Sequence, residues 1–415
     1  NNSLTEMNAL AEAAAMAVKA RLLLYSARPL FNGNPMYAGI KNYYGKDLFP
    51  QTYDPNKWVL AAQAAEDIMN LHLYEIVGEN SGDPYQSWKK VFIERWNKEI
   101  IFARQNDSYN WRVATTPEGV GGRAYGGVAV TQKLVDAFAC ENGYYPITGY
   151  AKNGKDPIID SRANYTEYGF SSFTHPYFGD TAETYNMFVG REPRFYVNIL
   201  WSGRKWYHGS RVEDPIQLYS TGKDGEKTVG QDAPQSGYVA YKYHDKSIDL
   251  TRTWGNGSYP IIRYADILLC YAEALNEYDP THPDILKYLN LVRVRAGVPK
   301  IGNGGVYAEY EGDQERMREL IRRERNVELC FEQQRYFDCR RWMTASEEFS
   351  GWFYGMNTLA LNDSPGGEFW QRAKIVKDNG QNDKERQFKD RSYFFPIPYN
   401  EAVIVKGFTQ NYGWY

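Results

Sequence analysis

The sequence lacks the features that mark several common classes of protein. It has no apolar run of about 18 residues, the length that a membrane-spanning helix requires. Its net charge of −3 is spread along the chain without a basic block, which argues against a nucleic-acid partner. The N-terminus has neither the basic start nor the small-residue cleavage site of a signal peptide. Because it opens inside a helical pattern, we expect processing or a leader outside this sequence.

Patterns for metal binding and disulfides are also missing. The four cysteines, Cys140, Cys270, Cys330 and Cys339, form no C-x-x-C pair, and the five histidines are isolated. Neither a zinc site nor a disulfide framework is expected, and we interpret the cysteines as small buried hydrophobic residues. We expect no cofactor. A structural calcium ion held by loop carboxylates and carbonyls stays open, because such a site has no fixed spacing outside the EF-hand.

Catalytic motifs are equally scarce. No G-x-S-x-G or H-E-x-x-H occurs, and the glycine-rich EGVGGRAYGG at 118–127 follows no apolar strand, so we interpret it as a turn. Glu324, Glu328 and Glu332 recur one helical turn apart, but arginines are interleaved with them. The carboxylate pair of a glycosidase normally comes from different elements that face a cleft. We therefore predict ion pairs for this segment.

Aromatic residues are abundant, at 16% of the chain with 35 Tyr and 11 Trp. Such side chains combine a flat apolar face with a polar edge, which suits sugar rings that carry a C–H face ringed by hydroxyls. We predict ligand contacts in loops where aromatics accompany Arg or Asn. These contacts are Trp201, Trp206 and Tyr207 in WSGRKWYHG, Trp254 in TRTWGNGSY, and Trp352 and Tyr354 in SGWFYGMN. The alternative for each ring is that it only fixes its loop to the scaffold.

Helical periodicity dominates two stretches of the chain. Helices are predicted over 5–27, 54–74, 84–104, 130–139, 260–278, 282–297 and 315–342. Short strand-like pieces, RFYVNILW and GYVAYKYH, lie in the Tyr- and Gly-rich region between these stretches, and the C-terminal part is mostly loop with a hairpin. The alanine-rich helices suggest tetratricopeptide-like pairs, although no repeat of roughly 34 residues recurs cleanly.

We predict one mainly α-helical domain over 1–415, because no low-complexity linker interrupts the chain. The helical scaffold covers 1–140 and 259–346. An irregular, loop-rich binding region with a few short strands covers about 141–258 and 347–415.

Four stretches resemble motifs of the SusD/RagB family, outer-membrane nutrient-binding lipoproteins of Bacteroidota. YPIIRYADILLCYAEALNE resembles the family's hallmark helix, and IRRERNVELCFEQQRYFDCRRW resembles its long Glu/Arg helix. EPRFYVNILWSGRKW resembles the strand that precedes them, and YFFPIPYNEAVIVKGFTQNYGWY resembles the closing signature. The likeness covers nearly the whole chain.

The resemblance implies a SusD-like fold, in which tetratricopeptide-like helical pairs carry an irregular ligand-binding half. It implies a non-catalytic, lipid-anchored protein on the outer face of the outer membrane that captures oligosaccharide for a SusC-like TonB-dependent transporter. Other surface glycan-binding lipoproteins and glycoside hydrolases are further partners it implies, and peptide import of the RagB type is the alternative function. The family's leader, lipidated cysteine and first helices are not found in this sequence, where Cys140 is the first cysteine.

The family motifs also imply roles for individual residues. Those expected to hold the helices together are Arg263, Glu273, Glu328, Arg335, Asp338, Arg341 and Trp342. Trp201 and Trp206 lie in the matching strand, which favours a structural role for them. Ligand contacts vary within the family, and Trp254 precedes the hallmark helix, where members often place an aromatic contact. A glycoside hydrolase with an unrecognised carboxylate pair and a helical-repeat adaptor that binds only protein are the other two hypotheses.

Overall fold

A computed structural model describes residues 2–104, 108–120, 124–207, 214–248, 257–376, 385–405 and 407–414. The helices are α1 (Asn2–Ala27), α2 (Asn56–Met69), α3 (Pro84–Phe92), α4 (Ser108–Thr115), α5 (Gln132–Ala137), α6 (Pro193–Asn198), α7 (Glu226–Val229), α8 (Tyr264–Tyr278), α9 (Asp284–Arg295), α10 (Gln314–Glu328), α11 (Gln334–Arg341), α12 (Ala345–Phe349) and α13 (Tyr399–Ile404). The strands are β1 (Ile100–Arg104), β2 (Ile147–Tyr150), β3 (Pro157–Ile159), β4 (Phe170–Thr174), β5 (Thr181–Tyr185), β6 (Ile199–Trp201), β7 (Lys205–Trp206), β8 (Asp214–Pro215), β9 (Tyr238–Ala240), β10 (Tyr259–Arg263), β11 (Tyr354–Met356) and β12 (Arg372–Lys374). The predicted mainly α-helical class is confirmed.

Paired helices form the scaffold. Helix α1 packs against α2, α2 against α8, and α8 against α9 and α10. Alanines at the α1–α2 contact, such as Ala17, Ala20, Ala61 and Ala65, are buried and let the two backbones approach closely. The predicted tetratricopeptide-like pairing is therefore confirmed.

Two predicted helices are wrong where the chain forms strands instead. The segment predicted as a helix over 84–104 ends its helix at Phe92, and its last five residues form β1. Strand β1 pairs antiparallel with β10, so the helix predicted over 260–278 begins only at Tyr264. The pairing buries Ile100, Ile101 and Ile262, and branched side chains favour the extended backbone over a helix.

The long helix predicted over 315–342 is also wrong, because it is broken into α10 and α11. Phe331 and Gln333, between the two helices, have φ values of 60° and 62°, which no α-helix accommodates. Smaller differences occur elsewhere: α2 ends at Met69, and RFYVNILW forms helix α6 before the short strand β6.

The remainder of the described chain is built from two-stranded antiparallel ladders, among them β4–β5, β6–β9 and the predicted C-terminal pair β11–β12. Such ladders are marginally stable alone. They are held by an aromatic core that includes Phe138, Phe188, Phe195 and Tyr238. The short strands thus connect the long loops to this packed aromatic core.

Two buried networks of ion pairs tie the scaffold together. The first, the glutamate–arginine cluster, consists of Glu99, Glu192, Glu324, Glu328, Glu332, Arg194, Lys242, Arg263, Arg293 and Arg295. In the second, Glu273 accepts from Arg28, Arg341 and the Trp342 indole, while Arg325 joins it to Asp338 and Asp266. The predicted interhelix ion pairs are confirmed. The four cysteines are buried, as predicted.

Candidate ligand-binding cleft

A cleft of about 740 Å³ lies where α5 and β2 meet α10, α11 and α12. It is lined by residues from 131–137, 147–150, 319–336 and 342–353, together with Trp111. This volume falls within the range of small-molecule sites. The break between α10 and α11 contributes Phe331 and Gln333 to the wall, so the cleft depends on the interruption that the sequence did not reveal.

Aromatic rings make up much of the cleft wall. Tyr336 is 42% exposed, and its ring stacks on Phe349 at 5.8 Å between centroids. On another part of the wall, Trp111 lies 5.4 Å from Phe331, and its indole N–H donates to the Lys242 carbonyl at 2.9 Å. Flat rings held in place in this way offer platforms for a flat or ring-shaped ligand.

The predicted contacts Trp352 and Tyr354 lie at the edge of the cleft. They line a small recess that shares Tyr150 and Phe353 with the cleft. Both side chains are half-buried, and Lys374 Nζ lies 4.2 Å from the centre of the Trp352 ring. The Tyr354 hydroxyl donates to the Asn153 carbonyl at 3.0 Å. The structure therefore brings this pair together beside the cleft.

A group of polar side chains closes the floor beside Tyr150. Asp136 accepts two hydrogen bonds from Arg372, at 2.7 and 2.8 Å, and one from the Tyr150 hydroxyl at 2.7 Å. Burial, reinforced by the Asp136 charge, raises the pKa of Tyr150, so its hydroxyl stays protonated. The Asp136 carboxylate is therefore already paired with side chains of the protein itself.

Two neighbouring arginines of α10 reach the cleft. Arg323 donates to the carbonyls of Asp136, Ala137 and Ile147 at 2.7–3.2 Å, which ties α5 and β2 to α10. Arg322 lies over the Trp342 ring, 5.0 Å from its centre, and burial lowers the pKa of its guanidinium to about 10. Arg323 therefore holds segments of the cleft wall together, whereas Arg322 places a positively charged guanidinium at the cleft.

Trp201 and Trp206 do not lie at this surface. Trp201 is 2% exposed and stacks on Phe188 at 4.5 Å, while Trp206 is fully buried against Tyr241 and His244. Neither ring has a face that a ligand could reach, so both are corrected to core residues. They stabilise the irregular half by burying large apolar areas.

The other two predicted contacts are placed differently. Tyr207 is half-buried, packs 4.9 Å from Phe178 and is not part of the cleft lining. Trp254 lies outside the described residues.

Sequence reasoning missed several of the cleft residues. Trp111, Phe331, Tyr336 and Arg322 lie in segments predicted as scaffold. Phe349 lies in the region predicted to bind ligand, but it was not named as a contact. One feature of the sequence could have indicated that Tyr336 lines a cleft. It follows a charged run in a helix, yet it is not part of any apolar stripe.

Glu324 and Glu328, which were considered from the sequence as a possible catalytic carboxylate pair, form ion pairs within the scaffold. Burial alone would raise the pKa of Glu328, but Arg295, Arg263 and Arg194 outweigh it and hold that pKa well below its usual range. A general acid needs the opposite shift. Glu324 is likewise buried between Arg194, at 2.5 Å, and Arg293, at 2.9 Å.

Within the described ranges, no cluster of three or more His, Cys, Asp or Glu side chains could hold a metal ion. None of the helices described here is both long enough and apolar enough to cross a membrane.

The fold is that of a helical scaffold protein with an aromatic-lined cleft. A model of the SusD family matches residues 98–414, and the chain belongs to that family. The resemblance stated from the motifs is thereby confirmed.

Individual relatives agree with this assignment. SusD-like protein P2 of Formosa agariphila is 35% identical over 95 residues, which are 22% of this chain and 18% of that protein. The solved structure of BT4246 has a TM-score of 0.76 at 25% identity, covering 97% of this chain and 70% of its own. A SusD-like protein from Bacteroides fragilis has a TM-score of 0.65 at 25% identity, with 97% and 65% covered. The chain thus spans about two thirds of the length of these structures.

A further solved structure shows the same fold. It is that of a SusD-like carbohydrate-binding protein from Bacteroides fragilis, with a TM-score of 0.55 at 24% identity, covering 84% of this chain and 61% of its own.

Proposed function

We propose that this protein binds glycans in the cleft and has no catalytic activity. The observation that carries the proposal is the cleft itself, which combines aromatic rings with hydrogen-bond donors around a volume of about 740 Å³. Sugar rings stack on such platforms, while hydroxyl groups accept and donate hydrogen bonds at their edges. Membership of the SusD family and the carbohydrate-binding relative support this choice of ligand.

Binding would use several weak contacts. Tyr336 on Phe349 is one platform, and the Trp352–Tyr354 edge is a second. Because each stacked ring contributes only about 1–2 kcal/mol, a single sugar unit should bind weakly and longer oligosaccharides more strongly. Trp254 remains a predicted contact.

Family membership also suggests the protein's setting. We propose a surface-exposed lipoprotein of the outer membrane that delivers oligosaccharide to a SusC-like TonB-dependent transporter, alongside other surface glycan-binding lipoproteins and glycoside hydrolases. No cofactor takes part in this proposal. The net charge of −3 and the lack of a basic block argue against nucleic acid as a partner.

The test is isothermal calorimetry of the protein against a panel of oligosaccharides. Tyr336→Ala and Trp352→Ala should each weaken binding of the best oligosaccharide by about 5- to 30-fold, the equivalent of one stacking contact. Tyr168→Ala is the matched control, because Tyr168 is 84% exposed and is not part of the cleft lining.

Each competing hypothesis predicts a different result. Heat with peptides and none with any oligosaccharide would support the peptide-importing type. New reducing ends after incubation with polysaccharide would support a glycoside hydrolase. Binding to protein alone, with no small-molecule ligand, would support an adaptor.

A further inference from the structure

The charges in the cleft are not balanced at short range. Of the cations that line it, Lys133 and Arg335 share the carboxylate of Glu348, at 3.9 and 3.1 Å. Arg322 has no carboxylate within ion-pair distance among the described residues, and the more distant charge of Glu277, which pairs with Arg28 and Arg318, does not offset the desolvation of its guanidinium. Its Nε is buried and has no hydrogen-bond partner among those residues.

The acidic side chains of the cleft do not compensate for this charge. Asp136 is held by Arg372 and Tyr150, and Glu348 is held by the two cations just named. Glu319 and Glu347 are exposed, so water solvates their carboxylates. A half-buried guanidinium therefore faces the cleft while the free carboxylates lie in solvent.

This placement favours an anionic ligand. A desolvated charge without a counter-ion is unfavourable, and pairing with an anion removes part of that cost. The planar guanidinium presents donors in a fixed fork that matches a carboxylate or a sulfate, and its position over the Trp342 ring restricts its orientation. The lowered pKa of Arg322 reflects the same desolvation, although the group remains charged near neutral pH.

Aromatic rings line the cleft together with this charge. Tyr336 and Phe349 line the same cleft as Arg322, and so do Phe331 and Trp111. A ligand that offers a ring face and an acidic group together would satisfy both parts of the wall. A uronic acid and a sulfated sugar each have this combination.

We propose that the cleft selects acidic oligosaccharides, with Arg322 pairing to a sugar carboxylate or sulfate ester while the aromatic wall contacts the sugar ring. This inference rests on the proposed glycan-binding function and names its substrate class. Neutral glycans of the same length bind more weakly.

The experiment uses matched pairs of oligosaccharides that differ only in charge. The first pair is an oligogalacturonide and its fully methyl-esterified form, and the second is a sulfated galactan oligosaccharide and its desulfated form. Calorimetry with the full chain at low salt should give about 10- to 100-fold tighter binding for the acidic member of at least one pair, the typical range for a charge-assisted contact. The pair that shows the difference identifies carboxylate or sulfate as the anion.

Three variants assign the preference to a residue. Arg322→Gln should reduce the acidic-to-neutral ratio to about 1–3, and Arg322→Lys should give an intermediate ratio because it keeps the charge without the fork. Arg316→Gln is the control on the same helix, since Arg316 is exposed, pairs with Asp313 and lies outside the cleft lining. Thermal melts of each variant show whether it is folded, and raised salt should weaken binding of the acidic member only.

The outcomes separate this inference from the function on which it rests. If acidic and neutral members of both pairs bind equally well, the inference is overturned while glycan binding stands. A preference that survives unchanged in Arg322→Gln also overturns it. If no oligosaccharide binds but a peptide does, the proposed function fails together with the inference.

Discussion

Replacing Arg263 by methionine should destabilise the protein by about 3–5 kcal/mol, the usual cost of removing one partner from a buried ion pair. Arg263 is fully buried, with its guanidinium 2.6 Å from Glu99, 2.8 Å from Glu328 and 2.8 Å from Glu332. Methionine is flexible and of broadly similar length, so it fills most of the space. The loss is therefore electrostatic rather than the cost of a cavity.

The glutamate–arginine cluster shows why the loss should be large. Its five carboxylates face five cations, so removing Arg263 leaves one buried negative charge without compensation. Unfolding releases about 2.1 cal/mol/K of entropy per residue. For a chain of 415 residues, each kcal/mol then shifts Tm by roughly 1 °C, and we expect a decrease of about 3–6 °C.

Differential scanning calorimetry of the wild type and two variants provides the assay. Arg316→Gln removes an exposed ion pair with Asp313 and should change Tm by less than about 1 °C, because surface pairs contribute little. A decrease for Arg263→Met no larger than that of the control would refute the view that this cluster holds the scaffold.

Three further predictions concern pH, thiol reactivity and backbone conformation. The lowered pKa of Glu328 means that its contribution to stability is complete above about pH 4.3, the pKa of an unfolded glutamate, and is lost as the pH falls. Tm should therefore fall between pH 5 and pH 3 in scanning calorimetry, and less steeply in Arg263→Met; a flat profile would contradict this. Burial raises the pKa of Cys270 to about 12, so it should react with Ellman's reagent at pH 8 only after unfolding, and prompt reaction of the native thiol would count against it. Gly297 has a φ of +73°, and an added Cβ would meet two proline rings at 2.9 and 3.0 Å; Gly297→Ala should lower Tm more than Gly39→Ala, whose positive φ comes with open space.

The part of the fold that could be predicted from the sequence is the part fixed by local pattern and by the cost of burying charge. Glutamates interleaved with arginines in the α10 segment predicted ion pairs, and Glu324 and Glu328 do pair with arginines, whereas the frame role of Arg263 was implied by the family motif. Alanine-rich periodicity likewise identified α1 and α2. These inferences need only neighbouring residues.

The errors arose where contacts between distant segments decide the outcome. Strand β1 exists because Ile100–Arg104 meets β10, some 160 residues further along the chain. Nothing local distinguishes a tryptophan that fills a core from one that faces a ligand, and Trp201 turned out to be the former while Trp352 lies at the cleft edge. The cleft takes its walls from four separate segments and Trp111, so no single motif could have revealed it.

The ion pairs of the scaffold also bear on how quickly the protein can assemble. Arg28 in α1 pairs with Glu273, which lies 245 residues later in the chain, and Arg263 pairs with Glu99 across 164 residues. At a synthesis rate of about 5–20 residues per second, roughly 12–50 s pass between the synthesis of Arg28 and that of Glu273. Contacts of such long range also slow folding itself. During that interval the Arg28 side chain stays in water, and α1 cannot complete its contacts with α8.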